Sequence, residues 1–540
     1  MPRDFDAAST RRPLFDALLD AKRRVGGAKP IIEDQDRKPL SYTDFVRGSF
    51  ALGRKLKPLT APGERVGLLL PSSVGMAVTF FALHAIGRTP VMLNFTSGVG
   101  NLKAACKAAG VKRVLSAKRF VQQAKLDALV AELGEGVEIT YLDELRASIG
   151  PTDKAYALVA GAFPRQFRVQ ARPDDIGVIL FTSGSFGAPR GVVLTQANLL
   201  ANVEQVAAHI ELDPEWVFFN PLPTFHALGL IALMLPLLRG MRGFHYPSPL
   251  HFKQIPGLVR ETGAAVLFGT DTFVNQYARA AAEGDLTGLK FLVCGAEKVR
   301  DETHRMFPGV PVLEGYGATE ASPVIAVNQP DHNRAGTVGR LLPGLEARVE
   351  PVEGVAEGGR LYVRGPNVMA GYLGATPDVI EPLPGGWHDT GDVVAMDQEG
   401  VVRILGRVKR FAKLGGEMVS LLAVEEMLGK LWPTGRHAVV SVPDARKGER
   451  LVLFTEQADA DVGAIAAFAR AEGAPELAVP KKIVRVDEVP VLGSGKTDYV
   501  SLQKLAEQDE GSDRTQRAEA GVLVEAPRET APEELRPPAE

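Results

Sequence analysis

The chain has 540 residues, 45% hydrophobic and 24% charged, an ordinary balance for a globular protein and enough length for roughly three to four average domains. Its 62 Lys and Arg nearly cancel its 65 Asp and Glu, leaving a net charge of −3, which gives no basis for a nucleic-acid partner. The two cysteines, Cys106 and Cys294, stand in apolar contexts without C-x-x-C spacing, so they read as buried thiols of a reducing compartment and not as a disulfide framework or metal site.

The opening MPRDFDAASTRR has no apolar core, so no secretory signal is expected. Between residues 60 and 180, short β-rich runs alternate with helical segments: RVGLLLP, TPVMLN and VKRVLSA, with helices through Ala85 and to Ala109 between them. That alternation predicts a parallel sheet covered by helices. The apolar segments 74–86 (VGMAVTFFALHAI) and 228–238 (LGLIALMLPLL) are shorter than the ~20 residues that span a bilayer. Both are predicted as buried helices, and the second is a candidate wall for an acyl pocket.

An apolar run, 176–181, predicts a buried strand. It leads into FTSGSFGAPRG (181–191), with the hydroxyls of Thr182, Ser183 and Ser185, the glycines 184, 187 and 191, and the cation Arg190. Glycines let backbone N–H groups approach an anion closely, and hydroxyls and a cation complete a cradle for a polyphosphate. No G-x-x-x-x-G-K-[ST] motif occurs, so this is not the common P-loop, and a bland Ser/Gly loop remains the alternative.

A second strand series, from Phe218 to Gly315, follows in WVFFNPLP, GFHYPSP, AAVLFGT, LKFLVCG and VPVLEGYG. LEGYGATEASPV (313–324) packs Tyr316, Thr319 and Glu320 into a Gly-rich turn. From Gly339 the runs EARVEPV, GRLYVRG, DVVAMD and GVVRILGR predict a smaller β-rich subdomain. Within it, GWHDTGDVV (386–394) carries Asp389 and Asp392. GRVKRFAKLGGE (406–417) is a basic, Gly-punctuated joint. Beyond it an amphipathic helix and the strands HAVVSVPD and RLVLFTE predict a separate small α+β domain. VLGSGKTDY (491–499) sets Lys496 in a loop. Taken singly, Glu320 reads equally well as a turn carboxylate, Asp392 as a turn former and Lys496 as a solvated lysine. The Glu-, Ala- and Pro-rich tail is expected to be disordered.

In this order and at these separations the segments resemble the adenylate-forming superfamily of acyl-CoA synthetases, luciferases and peptide-synthetase adenylation domains, over about residues 12–505. YPSPLHFKQIPGLV, VLFGTDTF, GAEKV, GYGATE, GRVKRFAKLGGEMVSL, PELAVP and LGSGKTDY are most similar to the acyl-[acyl-carrier-protein] synthetase half of the bacterial bifunctional acyltransferase/acyl-carrier-protein synthetase. The acyltransferase half of that family carries H-x4-D, and none of the nine histidines here has Asp five positions on, so a stand-alone synthetase is expected.

The resemblance implies an α/β fold with a large N-terminal AMP-binding domain (1–409), made of two α/β subdomains with mostly parallel sheets plus a β-rich subdomain. A small mobile α+β lid (410–506) and a disordered tail (507–540) follow. It implies ATP and Mg²⁺ as cofactors and formation of an acyl adenylate from a medium- to long-chain fatty acid, with transfer to acyl carrier protein or CoA. By resemblance Thr182, Ser183, Gly184, Ser185 and Arg190 hold the β- and γ-phosphates, Glu320 ligates Mg²⁺ and Thr319 meets the α-phosphate. Tyr316 stacks on adenine in a pocket lined by Gly295, Ala296, Glu314 and Gly315. Asp392 and Arg407 bind the ribose, Lys496 bridges the substrate carboxylate and α-phosphate, and His226 stands beside that carboxylate. The lid is implied to turn about the joint near Arg410, alternately presenting Lys496 and the loop 415–417. A cytoplasmic location is expected, with peripheral contact at the inner membrane and a separate acyltransferase partner both left open. Phe186 and Arg190 depart from the family's usual TSG[ST][TSE]G-x-P-K-G. Phe186 offers no hydrogen bond, a deficit worth roughly 1–3 kcal/mol if that position meets phosphate. Two other functions stay open: an acyl-CoA synthetase of the same mechanism, and a catalytically weak acyl-binding scaffold.

Overall fold

A computed structural model describes residues 4–183, 189–355, 357–414, 417–444, 448–472, 474–492 and 496–508, apart from the Ser183 side chain. Contacts divide the chain into two compact units: residues up to Lys409, with which Lys496 is counted, and the remainder from Arg410.

The larger unit holds three sheets. In the first, Glu138–Tyr141, Arg113–Ser116, Arg65–Leu68, Thr89–Met92 and Ile176–Ser183 lie side by side and parallel. Strand–helix–strand connections require this, because a parallel neighbour needs a crossover and not a hairpin. The predicted buried helix is Val74–Ala85, capped by Ser73, whose hydroxyl accepts the Met76 N–H. The sheet then reverses: Ile176–Ser183 pairs antiparallel with Pro189–Thr195, which pairs antiparallel with Gly371–Leu373. That last strand comes from far along the chain, and no local pattern signals it.

The second sheet runs parallel through Pro30–Asp34, Arg242–His245, Val217–Asn220, Val266–Gly269, Phe291–Cys294 and Val312–Gly317. The sequence reading began this series near residue 218. Pro30–Asp34, nearly two hundred residues upstream, completes it beside Arg242–His245, because the inner strand PIIED buries Ile31, Ile32 and Glu33. The second predicted helix is Ala227–Arg239, apolar on all sides and buried almost throughout. Gly240 ends it at φ 93°, a left-handed stop that glycine adopts without a Cβ clash. Among the described residues no helix is long and apolar enough to cross a membrane.

The β-rich region is an antiparallel sheet of Glu346–Glu350, Gly359–Arg364, His388–Met396 and Val402–Arg407. In the smaller unit, Glu417–Ser420, Phe411–Leu414, Gly448–Thr455, His437–Asp444 and Lys482–Arg485 form a five-stranded sheet, accompanied by the helices Leu421–Leu431 and Val462–Ala471. The α/β class and its β-rich and α+β additions match the sequence expectation. Cys106 and Cys294 are buried and free, and burial pushes the Cys106 thiol up to about 11.

Candidate functional site

In sheets of this kind, ligand-binding loops leave the carboxyl ends of the parallel strands. The loops that carry most of the candidate residues do so here. Thr182, next to last in its strand, pairs with Arg190 of the antiparallel neighbour. Gly184, Ser185 and Phe186 lie outside the described residues. Thr319 and Glu320 form a short helical turn after Val312–Gly317. Its entry needs glycine: a Cβ on Gly317 would lie 2.1 Å from the Pro323 carbonyl oxygen.

Glu320 is half-buried, and its Oε1 accepts the Tyr372 hydroxyl at 2.8 Å. The Arg190 guanidinium lies 3.5 Å above the centre of the Tyr372 ring. Strand pairing sets this arrangement, since Tyr372 stands opposite Val192, two residues beyond Arg190. The backbone N–H of Met369 donates to the Glu320 carbonyl at 2.8 Å. Burial, then the Glu320 charge, raises the Tyr372 phenol, so it stays protonated as the donor. The sequence reading missed Tyr372. Its only signal was a lone aromatic between two glycines in AGYLG.

Asp392 forms a second centre. Its Oδ2 accepts the Tyr316 hydroxyl at 2.6 Å and its Oδ1 accepts Arg407 Nε at 2.7 Å. Asp392 and Arg407 are directly opposed partners in the antiparallel sheet. Asp392 is only 4% exposed, so its charge must be matched by such donors. An ionised carboxylate has about four acceptor directions, so each oxygen can still receive a ligand hydroxyl. Burial first, then the Asp392 charge, holds the Tyr316 phenol well above its ordinary value. Asp389, its neighbour in sequence, is committed to Arg360. His388 is buried on the same strand. Burial lowers its pKa, while the charges of Glu320, Asp389 and Asp392 oppose that.

Gly295, Ala296, Glu314 and Gly315 meet at adjacent strand ends. A Cβ built on Gly295 would lie 3.4 Å from Leu228 and 3.5 Å from the Gly315 carbonyl oxygen. Ala296 holds φ 73°, a left-handed conformation that costs an alanine about 1 kcal/mol and is characteristic of binding loops. The Glu314 carboxylate is buried, accepting the Gly336 N–H at 2.6 Å with His304 Nε2 at 3.2 Å. Its backbone carbonyl accepts the Asn328 N–H at 3.0 Å.

His226 starts the apolar helix Ala227–Arg239. Its Nε2 is buried without a hydrogen-bond partner among the described residues, and burial depresses its pKa to about 4. The ring is neutral at pH 7 with one polar atom unsatisfied. Asn220 holds this loop: its Nδ2 donates to the Gly229 carbonyl at 3.0 Å and its Oδ1 accepts the Leu222 N–H at 3.0 Å. Gly229 has no alternative there, because a Cβ would lie 2.1 Å from the Pro223 oxygen.

In the smaller unit, Arg410 pairs with the buried Glu425 at 2.7 Å and covers the Tyr499 ring at 3.6 Å. Glu425 also accepts the Val439 N–H and the Tyr499 hydroxyl. Gly415 and Gly416 lie outside the described residues, and Glu417 is exposed. A bridge between Val491 and Thr497 closes the loop that carries Lys496.

The family model for AMP-binding enzymes matches residues 19–373. A feruloyl-CoA synthase from Amycolatopsis sp is 30% identical over 477 residues, covering 85% of this chain and 92% of that one. A medium-chain fatty-acid–CoA ligase from Escherichia coli K12 is 27% identical over 466 residues, covering 82% of this chain and 81% of the ligase. Among solved structures, ATP-bound MatB from Rhodopseudomonas palustris superposes with a TM-score of 0.77 at 26% identity, covering 92% of this chain and 99% of MatB.

Proposed function

Because the chain belongs to the AMP-binding enzyme family, whose members form acyl adenylates from ATP with Mg²⁺, we propose that it activates a medium- to long-chain fatty acid and passes the acyl group to a pantetheine thiol. The observation that carries the nucleotide half of this reading is the pair of carboxylate–tyrosine–arginine centres at Glu320 and Asp392. The apolar helix behind His226 supports an aliphatic acid, as do relatives named as fatty-acid–CoA ligases.

A carboxylate is a poor electrophile because its leaving group would be oxide. In the first step a carboxylate oxygen attacks the α-phosphorus of ATP, the bond to the β-phosphate bridge breaks, and pyrophosphate leaves with that electron pair. In the second, a thiol sulfur attacks the acyl carbonyl, its proton is lost, and AMP departs. Both steps bring anions together, so positioning and positive charge matter more than acid–base chemistry.

In this reading Thr182, Ser183, Gly184, Ser185 and Arg190 hold the β- and γ-phosphates, and Thr319 contacts the α-phosphate. Tyr316, held by Asp392, offers its ring to adenine beside Gly295, Ala296, Glu314 and Gly315. Asp392 and Arg407 take the ribose hydroxyls. His226, neutral and with an unsatisfied Nε2, faces the acid. Lys496 bridges the carboxylate and α-phosphate. Glu320 suits Mg²⁺: no cluster of three or more metal-ligating side chains occurs among the described residues, and Mg²⁺ favours one or two carboxylates, waters and substrate phosphates over an all-protein cage. When bound, the ion would neutralise phosphate charge.

For the acceptor, the motif resemblance favours acyl carrier protein, which as an acidic protein would dock on exposed cations such as Lys413 and Lys481. The names of the relatives favour CoA. A separate acyltransferase is a proposed consumer of the thioester. The test is pyrophosphate release from ATP with aliphatic and aromatic acids, with holo-acyl carrier protein or CoA, alongside Lys496→Ala. Release that needs a long-chain acid and Lys496, with transfer to carrier protein alone, supports the first reading. Transfer to CoA alone supports the second. No release with any acid by folded protein overturns both and leaves the acyl-binding scaffold.

A further inference from the structure

The helix Pro151–Ala162 packs one face against Tyr42–Leu56, burying Ala157, Ala160 and Gly161. Its other face is also apolar. Ala155, Leu158, Val159, Ala162 and the following Phe163 fall at i, i+3, i+4, i+7 and i+8, one continuous stripe of a helix, and all five are exposed. Leu158 is 52% exposed, Val159 49% and Phe163 57%. Phe167, at the end of the separate short helix Pro164–Phe167, is 37% exposed, with its ring edge-on to Tyr156 at 5.5 Å. Single exposed apolar residues need no explanation, but a contiguous set marks a contact surface.

The rim of this stripe is cationic. A pocket of about 530 Å³ beside Phe163 is lined by Lys22, Arg23 and Arg165, and Lys154 is exposed on the helix itself. Arg12, Arg23 and Arg165 share one carboxylate, Asp20, and Arg12 also reaches Glu204 at 3.9 Å, so these cations outnumber the carboxylates they pair with. Lys22 Nζ reaches the Gly161 carbonyl at 3.4 Å, and Arg54 NH1 donates to the Thr152 carbonyl at 3.1 Å. Arg54 and Lys55 both pair with Asp153 of the helix, so where the helix meets the body of the larger unit two cations share one carboxylate.

We propose that this face, centred on Leu158, Val159 and Phe163, docks the protein on an anionic phospholipid bilayer. Apolar side chains enter the headgroup–acyl boundary, and the cationic rim meets lipid phosphates, the arrangement by which interfacial helices bind membranes. A second copy is the poorer occupant. A two-fold contact sets each patch against itself, which would bring the two cationic rims together. The proposal stands apart from the reaction: a chain inactive on every acid would still bind vesicles.

The test is co-sedimentation of the full chain with vesicles of phosphatidylcholine alone or with equal parts phosphatidylglycerol. Binding is expected only to the anionic vesicles and should weaken with salt. Leu158→Ser/Phe163→Ser should weaken it at least about tenfold. Arg23→Gln/Arg165→Gln should weaken it about fivefold for each charge removed. Both variants should keep the wild-type melting temperature, since the changed side chains are at the surface, and the wild-type rate with detergent-dispersed acid. Absence of wild-type binding, or equal binding by wild type and the serine variant, overturns the proposal. A wild-type dimer that the serine variant dissolves, with vesicle binding unchanged, assigns the face to self-association and overturns it as well.

Discussion

Glu320 and Asp392 are built from the same three parts, a carboxylate, a tyrosine hydroxyl and an arginine, yet the parts are joined differently. At Asp392 both donors bind the carboxylate, one on each oxygen. At Glu320, among the described residues, only the tyrosine does, and Arg190 lies on the tyrosine's face. Asp392 is buried and Glu320 half-buried. A carboxylate with a protein donor on each oxygen is suited to hold a fixed hydrogen-bonding partner. One matched on a single oxygen, with its arginine turned aside, is suited to receive a cation. On the proposed reading, recognition therefore falls to Asp392 and charge handling to Glu320.

The sharpest way to break this contrast is to remove one carboxylate at a time. Glu320→Gln should lower kcat about a hundred- to a thousandfold, the range for losing one group aimed at developing charge, and raise the Mg²⁺ concentration for half activity, with little change in melting temperature. Asp392→Ala should raise the ATP KM roughly tenfold or more and destabilise the fold by about 2–3 kcal/mol, because Tyr316 and Arg407 lose their acceptor. Urea titration and initial rates on both variants decide it. A stability loss at Glu320 larger than at Asp392 would invert the assignment.

The two tyrosines give the next largest effects. A hydrogen bond to a charged group contributes about 1.5–3 kcal/mol, so Tyr316→Phe and Tyr372→Phe should each cost about ten- to a hundredfold. The cost should appear in different places: in ATP KM for Tyr316→Phe and in the Mg²⁺ dependence for Tyr372→Phe. The same parameter moving in both variants would erase the distinction.

The sequence displayed one centre more fully than the other. Tyr316, Asp392 and Arg407 each lay in a Gly-punctuated motif, and a turn rich in glycine is a local signal. What no motif stated was that the Tyr316 hydroxyl binds Asp392, a contact across 76 positions. Tyr372 was invisible for the related reason that its role arises from long-range pairing, Gly371–Leu373 joining Pro189–Thr195. Pro30–Asp34 escaped notice likewise, since its partner Arg242–His245 is remote. The buried helices around Ala77 and Leu233 were readable because burial on all sides writes itself into every position of the run.

The smallest expected effect concerns Arg190, the family's usual lysine position. Arg190→Lys keeps the positive charge but loses the planar stack on Tyr372 and the forked donor set. A stacked cation at a partly exposed ring contributes about 0.5–1 kcal/mol, so ATP KM should rise about two- to fivefold at unchanged kcat. Combining it with Tyr372→Phe separates two explanations. If Arg190 acts by holding the Tyr372 ring over Glu320, the double variant should be little worse than Tyr372→Phe alone, because the hydroxyl it positions is already gone. If Arg190 acts directly on phosphate, the two losses should multiply, as independent contributions do.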